Sequence, residues 1–260
     1  MYQSDAEASI LHPRTAQAKF TYHRHAPDPH LAEWVLNFWT VSWDLTEPYT
    51  AQVLPLPTVN VTVTNTEADV TGLVRRRYDR HLTGRGYAVG ARFRPACFRP
   101  FLGSSVSALT DTHRPIADVL GVDTAALAAA VAATSDARVR VRLLTDFLLA
   151  KTPNPDPLAQ RLAWVVTKVI GRPDIVRVHQ VAELAGVGTR TLQRQFAEYV
   201  GAGPKWLIDR RRVLDTAARV GADPAPVWAQ LAAELGYADQ AHLSRTFSTV
   251  LGTPPSEYSR

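Results

Sequence analysis

The chain has almost no cysteine and no apolar run long enough to cross a bilayer. Its one thiol, Cys97, cannot close an internal disulfide, furnish a cysteine-rich metal site or form a two-thiol redox switch, and this suits a reducing cytosol. A spanning helix needs roughly 18 consecutive apolar residues, and no stretch approaches that. The opening segment MYQSDAEASILHPRTAQ has no basic region followed by an apolar one, so the expectation is a cytoplasmic protein without a membrane partner. Lysine is scarce too, confined to Lys19, Lys151, Lys168 and Lys205. Arginine therefore carries most of the positive charge, which fits bidentate contacts to phosphate or guanine and fits equally a GC-rich genome.

Strong charge of either sign is also missing. A net charge of +5 over 260 residues favours an anionic partner but is small for a protein that grips phosphates, and the excess is divided almost evenly along the chain. What is present is the make-up of a folded globular protein, with 46% hydrophobic and 20% charged residues. The length allows two domains, since one core usually serves about 100 to 200 residues.

Residues 1–17 show no periodicity and read as a loose tail. From 18 to about 94 the pattern is of short strands, AKFTYHR, NFWTVSWDL, AQVLPL, VNVTVT and GYAVGARF, rich in Val, Thr and aromatics. LAEWVLNFW can also begin as a helix, because Leu31, Trp34, Val35 and Phe38 share a face at 3.6-residue spacing. From Ile116 the pattern is helical. Prolines 153, 155 and 157 mark a linker over 153–157, because each removes a donor and restricts the residue before it. The predicted class is α+β: a tail (1–17), a mixed β/α sensor-like domain for an effector or for dimerisation (18–152), the linker, and an all-α domain (158–260).

The all-α part repeats itself loosely. VAELAGVGTRTLQRQFAEYVGAGPKWL and LAAELGYADQAHLSRTFSTVLGTPPSEY each place a short helix before a glycine (Gly186, Gly236), then a turn, then a helix with Leu and Phe four apart (Leu192 and Phe196, Leu243 and Phe247). A helix-turn-helix asks for two short helices, a glycine-containing turn, an apolar stripe joining them and a polar outer face on the second. Both segments supply these. The outward residues are Arg190, Gln193 and Arg194 in the first unit and Gln240, Ala241, His242 and Arg245 in the second. Arg can grip guanine bidentately and Gln can pair with adenine, so the chemistry suits the major groove of double-stranded DNA. The plain alternative, solvated arginines on two ordinary helical hairpins, would not call for two matching units in tandem.

At these residues the chain resembles the C-terminal DNA-binding domain of the AraC/XylS family of bacterial transcription activators, over roughly 157–260 and most fully in LGYADQAHLSRTFSTVLGTPPSEY. The resemblance implies base contacts from Arg190, Gln193, Arg194, Gln240, His242 and Arg245, with Ala241 silent, and bacterial RNA polymerase as a partner. Where family members often have a serine N-cap, this chain has Gly188, Gly203 and Ala238, while Asp239 lies in the predicted first turn of the last recognition helix. VLPLPTVNVTVT and GARFRPACFRPFLG resemble the uncharacterised N-terminal domains of one branch of AraC-like regulators, which implies a sensory or dimerising role.

In that N-terminal part, Trp34, Trp39, Trp43, Phe93 and Phe98 can line a pocket for an apolar or aromatic effector, with Arg92 or Arg94 as an anionic anchor; the plain alternative is core packing. Cys97 reads as a buried small hydrophobe. His23, His25 and His30 lack the carboxylate or further histidine a metal site needs, so no metal and no cofactor is expected. No Ser-His-Asp signature, phosphate loop or paired carboxylates are visible, so the chain does not read as an enzyme. The rivals are an enzyme recruited to DNA by its C-terminal domain, as in repair proteins with an AraC-like module, and a non-specific architectural binder, which should be more basic.

Overall fold

The computed structural model describes residues 18–53, 56–222 and 226–258; the tail expected over 1–17 lies outside the described residues. Eight strands come first: β1 (Thr21–His25), β2 (Val35–Asp44), β3 (Tyr49–Val53), β4 (Asn60–Thr64), β5 (Ala68–Thr71), β6 (Tyr78–Leu82), β7 (Arg85–Phe93) and β8 (His113–Pro115). Six form one antiparallel sheet in the order β1-β2-β7-β4-β5-β8, and β3 pairs with β6 in a separate ribbon. Successive side chains point to opposite faces of a strand. Val61, Val63, Val70, Val89 and Phe93 accordingly pack into the core, while Asn60, Thr62, Asp69, Ala88 and Arg92 face a space shared with the ribbon.

LAEWVLNFW, which can start as a helix by its spacing, makes a single helical turn. The carbonyl of Leu31 accepts N–H bonds from Trp34 and Val35 at 2.9 and 2.8 Å, and the chain then enters β2. Sheet pairing with β7 prevails over the 3.6-residue pattern from Val35 onward.

The core face is covered by short helices: α1 (Arg99–Leu102), α2 (Ile116–Leu120), α3 (Ala125–Ala132) and α4 (Ala137–Leu149), with a 3-10 turn at Val106–Leu109. Asp136 caps α4 by accepting the N–H groups of Arg138 and Val139. α5 (Pro157–Gly171) starts in the same way. The Asp156 carboxylate accepts from Leu158 and Ala159 at 2.9 and 3.2 Å, and Pro157 stands at the first helical position, where no donor is needed.

There follow α6 (Val178–Ala185), α7 (Thr189–Tyr199), α8 (Pro204–Ala222), α9 (Trp228–Glu234), α10 (Gln240–Leu251) and α11 (Pro255–Tyr258). The α+β class read from the sequence is the observed one. The hydrophobic core, however, does not stop at the proline segment. One cluster runs from Leu31 and Val89 through Val165 and Val166 to Phe196 and Ile208, so α5, α6 and α7 are packed on the β-rich part. The last helices form two smaller clusters of their own against α8.

Candidate nucleic-acid interface

The first unit is built by α6 and α7. Gly186 follows α6 at φ +62°, the left-handed region glycine adopts without strain, and its N–H closes the helix on Ala182 and Glu183. Val181, Ala185, Leu192 and Phe196 are buried between the two helices. With those positions inward, Arg190, Gln193 and Arg194 stand exposed along α7. The N-cap of α7 is Gly188, with no side-chain cap.

The second unit, α9 and α10, repeats the plan. Gly236 turns the chain at φ +74°, and a β-carbon there would lie 2.9 Å from Val176 Cγ1, so the turn nestles against the loop before α6. Leu231, Leu243 and Phe247 are buried. Gln240, Ala241 and Arg245 are exposed, but His242 is half-buried. Its ring stacks edge-on against Tyr237 at 5.4 Å, and its Nδ1 accepts the N–H of Ala238 at 3.3 Å, so this imidazole is engaged at the helix start. Asp239 is not in the first turn, as the sequence suggested. It is the N-cap itself, its carboxylate accepting the His242 N–H at 2.7 Å, so the cap expected to be missing at Ala238 is supplied one residue later.

Helix α8 joins the units. Leu207 and Ile208 near its start belong to the core of the first, while Val213 packs with Phe247 and Leu251 and Val220 with Leu231 and Leu243. Between these apolar positions lie three consecutive buried arginines, Arg210, Arg211 and Arg212. Arg211 donates to Asp215 at 2.7 Å and to the carbonyls of Pro173 and Ile175, both at 3.2 Å; Arg212 donates to the carbonyl of Val176 at 3.1 Å and lies over the Tyr237 ring. Burial pushes Arg211 below and Asp215 above their ordinary pKa values, each toward its neutral form, and the ion pair opposes both shifts. Arg211 and Arg212 fasten α8 to the loop ahead of α6. Nothing in the sequence reading singled them out, because a run of three arginines looks like a solvated or phosphate-gripping face; the flanking Asp209 and Asp215 were the available signal.

A second site lies in the β-rich part, where the sheet and the β3–β6 ribbon enclose a cavity of about 170 Å³. Tyr22, Trp39 and Trp43 line it from the β1 and β2 side, Asn60, Thr62, Asp69 and Arg92 line it further across the sheet, and Tyr78 meets the His113 ring at 5.8 Å at the β8 edge. The indole N–H of Trp39, the hydroxyl of Tyr22 and the amide oxygen of Asn60 are buried with no hydrogen-bond partner among the described residues. Burial first, and the neighbouring Glu67 second, raise the Asp69 pKa.

Residues 181–260 match the family described as helix-turn-helix domain, and residues 23–115 match a domain of unknown function (DUF6597). A curated AraC-like transcription regulator of Streptomyces lividans is 35% identical over 83 residues, which cover 32% of this chain and 27% of that protein. The C-terminal part thus carries a helix-turn-helix domain and is similar there to an AraC-like regulator. The match spans only about a quarter of the curated relative's length. Among solved structures, the DNA-binding domain of AdpA, a global transcriptional factor crystallised with a target DNA, is 29% identical and covers 40% of this chain and 91% of its own, with a TM-score of 0.31. ToxT from Vibrio cholerae O395 is 11% identical and covers 93% and 97%, with a TM-score of 0.39.

The helix-turn-helix domain brings Arg190, Gln193 and Arg194 together on one helix and Gln240 and Arg245 on another, with His242 turned partly inward. Of the effector residues named from the sequence, Trp39, Trp43 and Arg92 line the cavity. Trp34, Phe93 and Phe98 do not. Trp34 precedes β2 and packs edge-on against Phe101 at 6.0 Å, and Phe93 and Phe98 meet at 4.8 Å, all three within the core on the opposite side of the sheet. Arg94 is outside the cavity as well, its Nε bonded to the carbonyl of Ala32 at 2.7 Å. Cys97 is buried beneath α5, its pKa pushed up to about 12 by that burial. Among the described residues, no three His, Cys, Asp or Glu side chains come together as a metal site, and no helix is long and apolar enough to cross a membrane.

Proposed function

We propose that the chain is a cytoplasmic, sequence-specific DNA-binding transcription regulator that places α7 and α10 in successive major grooves. The observation that supports this reading is the pair of exposed polar faces hung from one continuous helix, each offering an arginine for guanine and a glutamine for adenine. Helix α8 has 19 residues, and at about 1.5 Å per residue it spans about 28 Å. With the width of the flanking helices, that suits grooves recurring on one side of B-DNA every 34 Å or so. The AraC-like relative carries the same role in its name. Bacterial RNA polymerase is the protein partner the family resemblance implies. A salt titration tests the reading: log affinity for a selected duplex falls linearly with log salt, by about 0.9 per phosphate contact, and a slope near zero removes DNA as the partner.

The N-terminal domain serves in this reading as a sensor or dimerising unit that turns nothing over. The cavity fits a small molecule with an aromatic body against Trp39 and Trp43 and a polar group at the Asn60 and Arg92 end. Thermal-shift screening of the full chain, with mass spectrometry of each hit, separates sensing from catalysis, since a chemically altered hit would make the domain an enzyme.

A further inference from the structure

At or just past the C-terminal end of each recognition helix, a carbonyl is taken up by a residue of the N-terminal domain. A helix leaves its last carbonyls without intrahelical partners. At the end of α10, the carbonyl of Val250 accepts the backbone N–H of Arg77 at 2.9 Å. The Arg77 guanidinium lies over Gly252, 3.6–3.9 Å from where a β-carbon would stand, and its charge suits the negative end of the helix dipole. Just past α7, the carbonyl of Gly201 accepts the Thr110 hydroxyl at 2.7 Å. Gly201 has φ +88°, and a β-carbon on it would meet that hydroxyl at 2.9 Å, so the contact depends on glycine.

The two gripping residues belong to one patch. Asp111, beside Thr110, accepts the backbone N–H of Arg75 at 2.8 Å, pairs with its guanidinium at 2.6 Å and donates its own N–H to Leu73. Gly72 lies so close to the backbone of Leu109 that no β-carbon fits between them. Residues 72–77 and 106–112 are thus tied together. The grips lie beyond the outward residues of α7 and α10 toward the C-terminal ends of those helices, and those residues stay exposed. The second unit depends on its grip more than the first, because its hydrophobic clusters draw only on α8 to α11, whereas the first unit shares the main core.

We propose that Arg77 and Thr110 are positioning residues for DNA recognition: the N-terminal domain holds both recognition helices by their C-terminal ends and fixes the distance between them. That distance sets the spacing of the two half-elements in any duplex the chain accepts. The inference rests on the DNA-binding reading above. Tyr78, next to Arg77, lines the cavity, so the grip on α10 and the cavity wall are one segment of chain.

The test uses the full chain and two variants. Arg77→Glu keeps the backbone N–H but puts a carboxylate at the end of α10, and Thr110→Val removes the hydroxyl that holds Gly201. Hydrogen exchange without DNA reads the grip itself. Arg77→Glu should speed exchange at 248–252 and leave 196–201 unchanged, and Thr110→Val should do the reverse; no change in either overturns the grip. Binding is then measured to a duplex selected from a random pool by the wild-type chain, and to the same duplex with one base pair inserted between its half-elements. The wild type should lose affinity on insertion by about tenfold or more, the scale of one mismatched base pair, and Arg77→Glu should lose several-fold less. If the variants weaken binding to both duplexes equally, the positioning role is overturned while DNA binding stands. If the wild type selects no sequence although exchange responds as stated, the DNA-binding reading fails and takes the spacing role with it.

Discussion

Trp39 on β2 stands directly across from Gly90 on β7, and its indole occupies the place a side chain at position 90 would need: a β-carbon there would lie 2.3 Å from the ring. Trp43 and Gly86 repeat the relationship four residues along the same strands. Each tryptophan is laid flat on the sheet by the glycine opposite it, and this keeps the cavity open above.

Gly90→Ala should therefore tilt Trp39 into the cavity and overpack it. The expected cost is about 1–3 kcal/mol, with a change in tryptophan emission and weakened binding of any cavity ligand. Melting and fluorescence of the variant check this. An unchanged midpoint together with unchanged emission would mean that the ring has room to spare.

The cap of the second recognition helix is the next test. Asp239→Ala removes the carboxylate that accepts the His242 N–H, and the loss of such a cap costs about 1 kcal/mol. In the first unit, Gly188→Ser adds a cap where none exists and should stabilise by a few tenths of a kcal/mol. Urea unfolding of both variants measures the two signs, and a neutral Asp239→Ala would show that the bond contributes nothing.

Helix α8 is buried in the core more fully through Leu207 than through Trp206, which packs against the same core only in part. The sequence suggests a face of Trp206, Leu207 and Val213, but Trp206 is only partly buried while Leu207 is 1% exposed. Leu207→Ala should cost about 2–5 kcal/mol and exceed the effect of Trp206→Ala. Thermal melting of the full-length variants ranks them, and the reverse order would place the brace at the indole.

Cys97 gives a pH-dependent prediction. Its thiol titrates at about 12 in the fold because burial disfavours the thiolate, against about 8.5 for a free cysteine. Between those values the folded chain holds a proton the unfolded chain has lost, so the contribution is intact below about pH 8.5 and stability falls as pH rises from there toward 12. Iodoacetamide at pH 8 should label Cys97 only as fast as the chain unfolds. Rapid labelling of the native protein would mean that the thiol is accessible in the fold.

Much of this was legible in the sequence, for physical reasons that also explain the gaps. NFWTVSWDL and VNVTVT read as strands because β-branched and aromatic residues alternate there, and the segments after the proline linker read as helices. β5, β6 and β8 escaped notice because ADVT, YDRHL and HRP are short and carry little hydrophobic pattern. The aromatics of the β-rich part were seen as one group, whereas strand parity sends Trp39 and Trp43 to the cavity and Phe93 to the core. The inward turn of His242 depends on Tyr237, five positions earlier, and the burial of Arg211 and Arg212 on carbonyls more than thirty residues away; neither contact leaves a local periodicity.

The central claim is base reading by the two exposed arginines, and sequence selection from a randomised duplex pool with wild type, Arg194→Ala and Arg245→Ala tests it most directly. If each arginine grips a guanine, its loss costs about 1–3 kcal/mol and relaxes preference at one base position. Arg194→Ala should lose more discrimination, because the first unit exposes Arg190, Gln193 and Arg194 while the second has a silent Ala241 and an engaged His242. A selected motif that is unchanged in both variants, with affinity lowered evenly for all sequences and a shallower salt slope, would contradict the account and reduce both arginines to phosphate contacts.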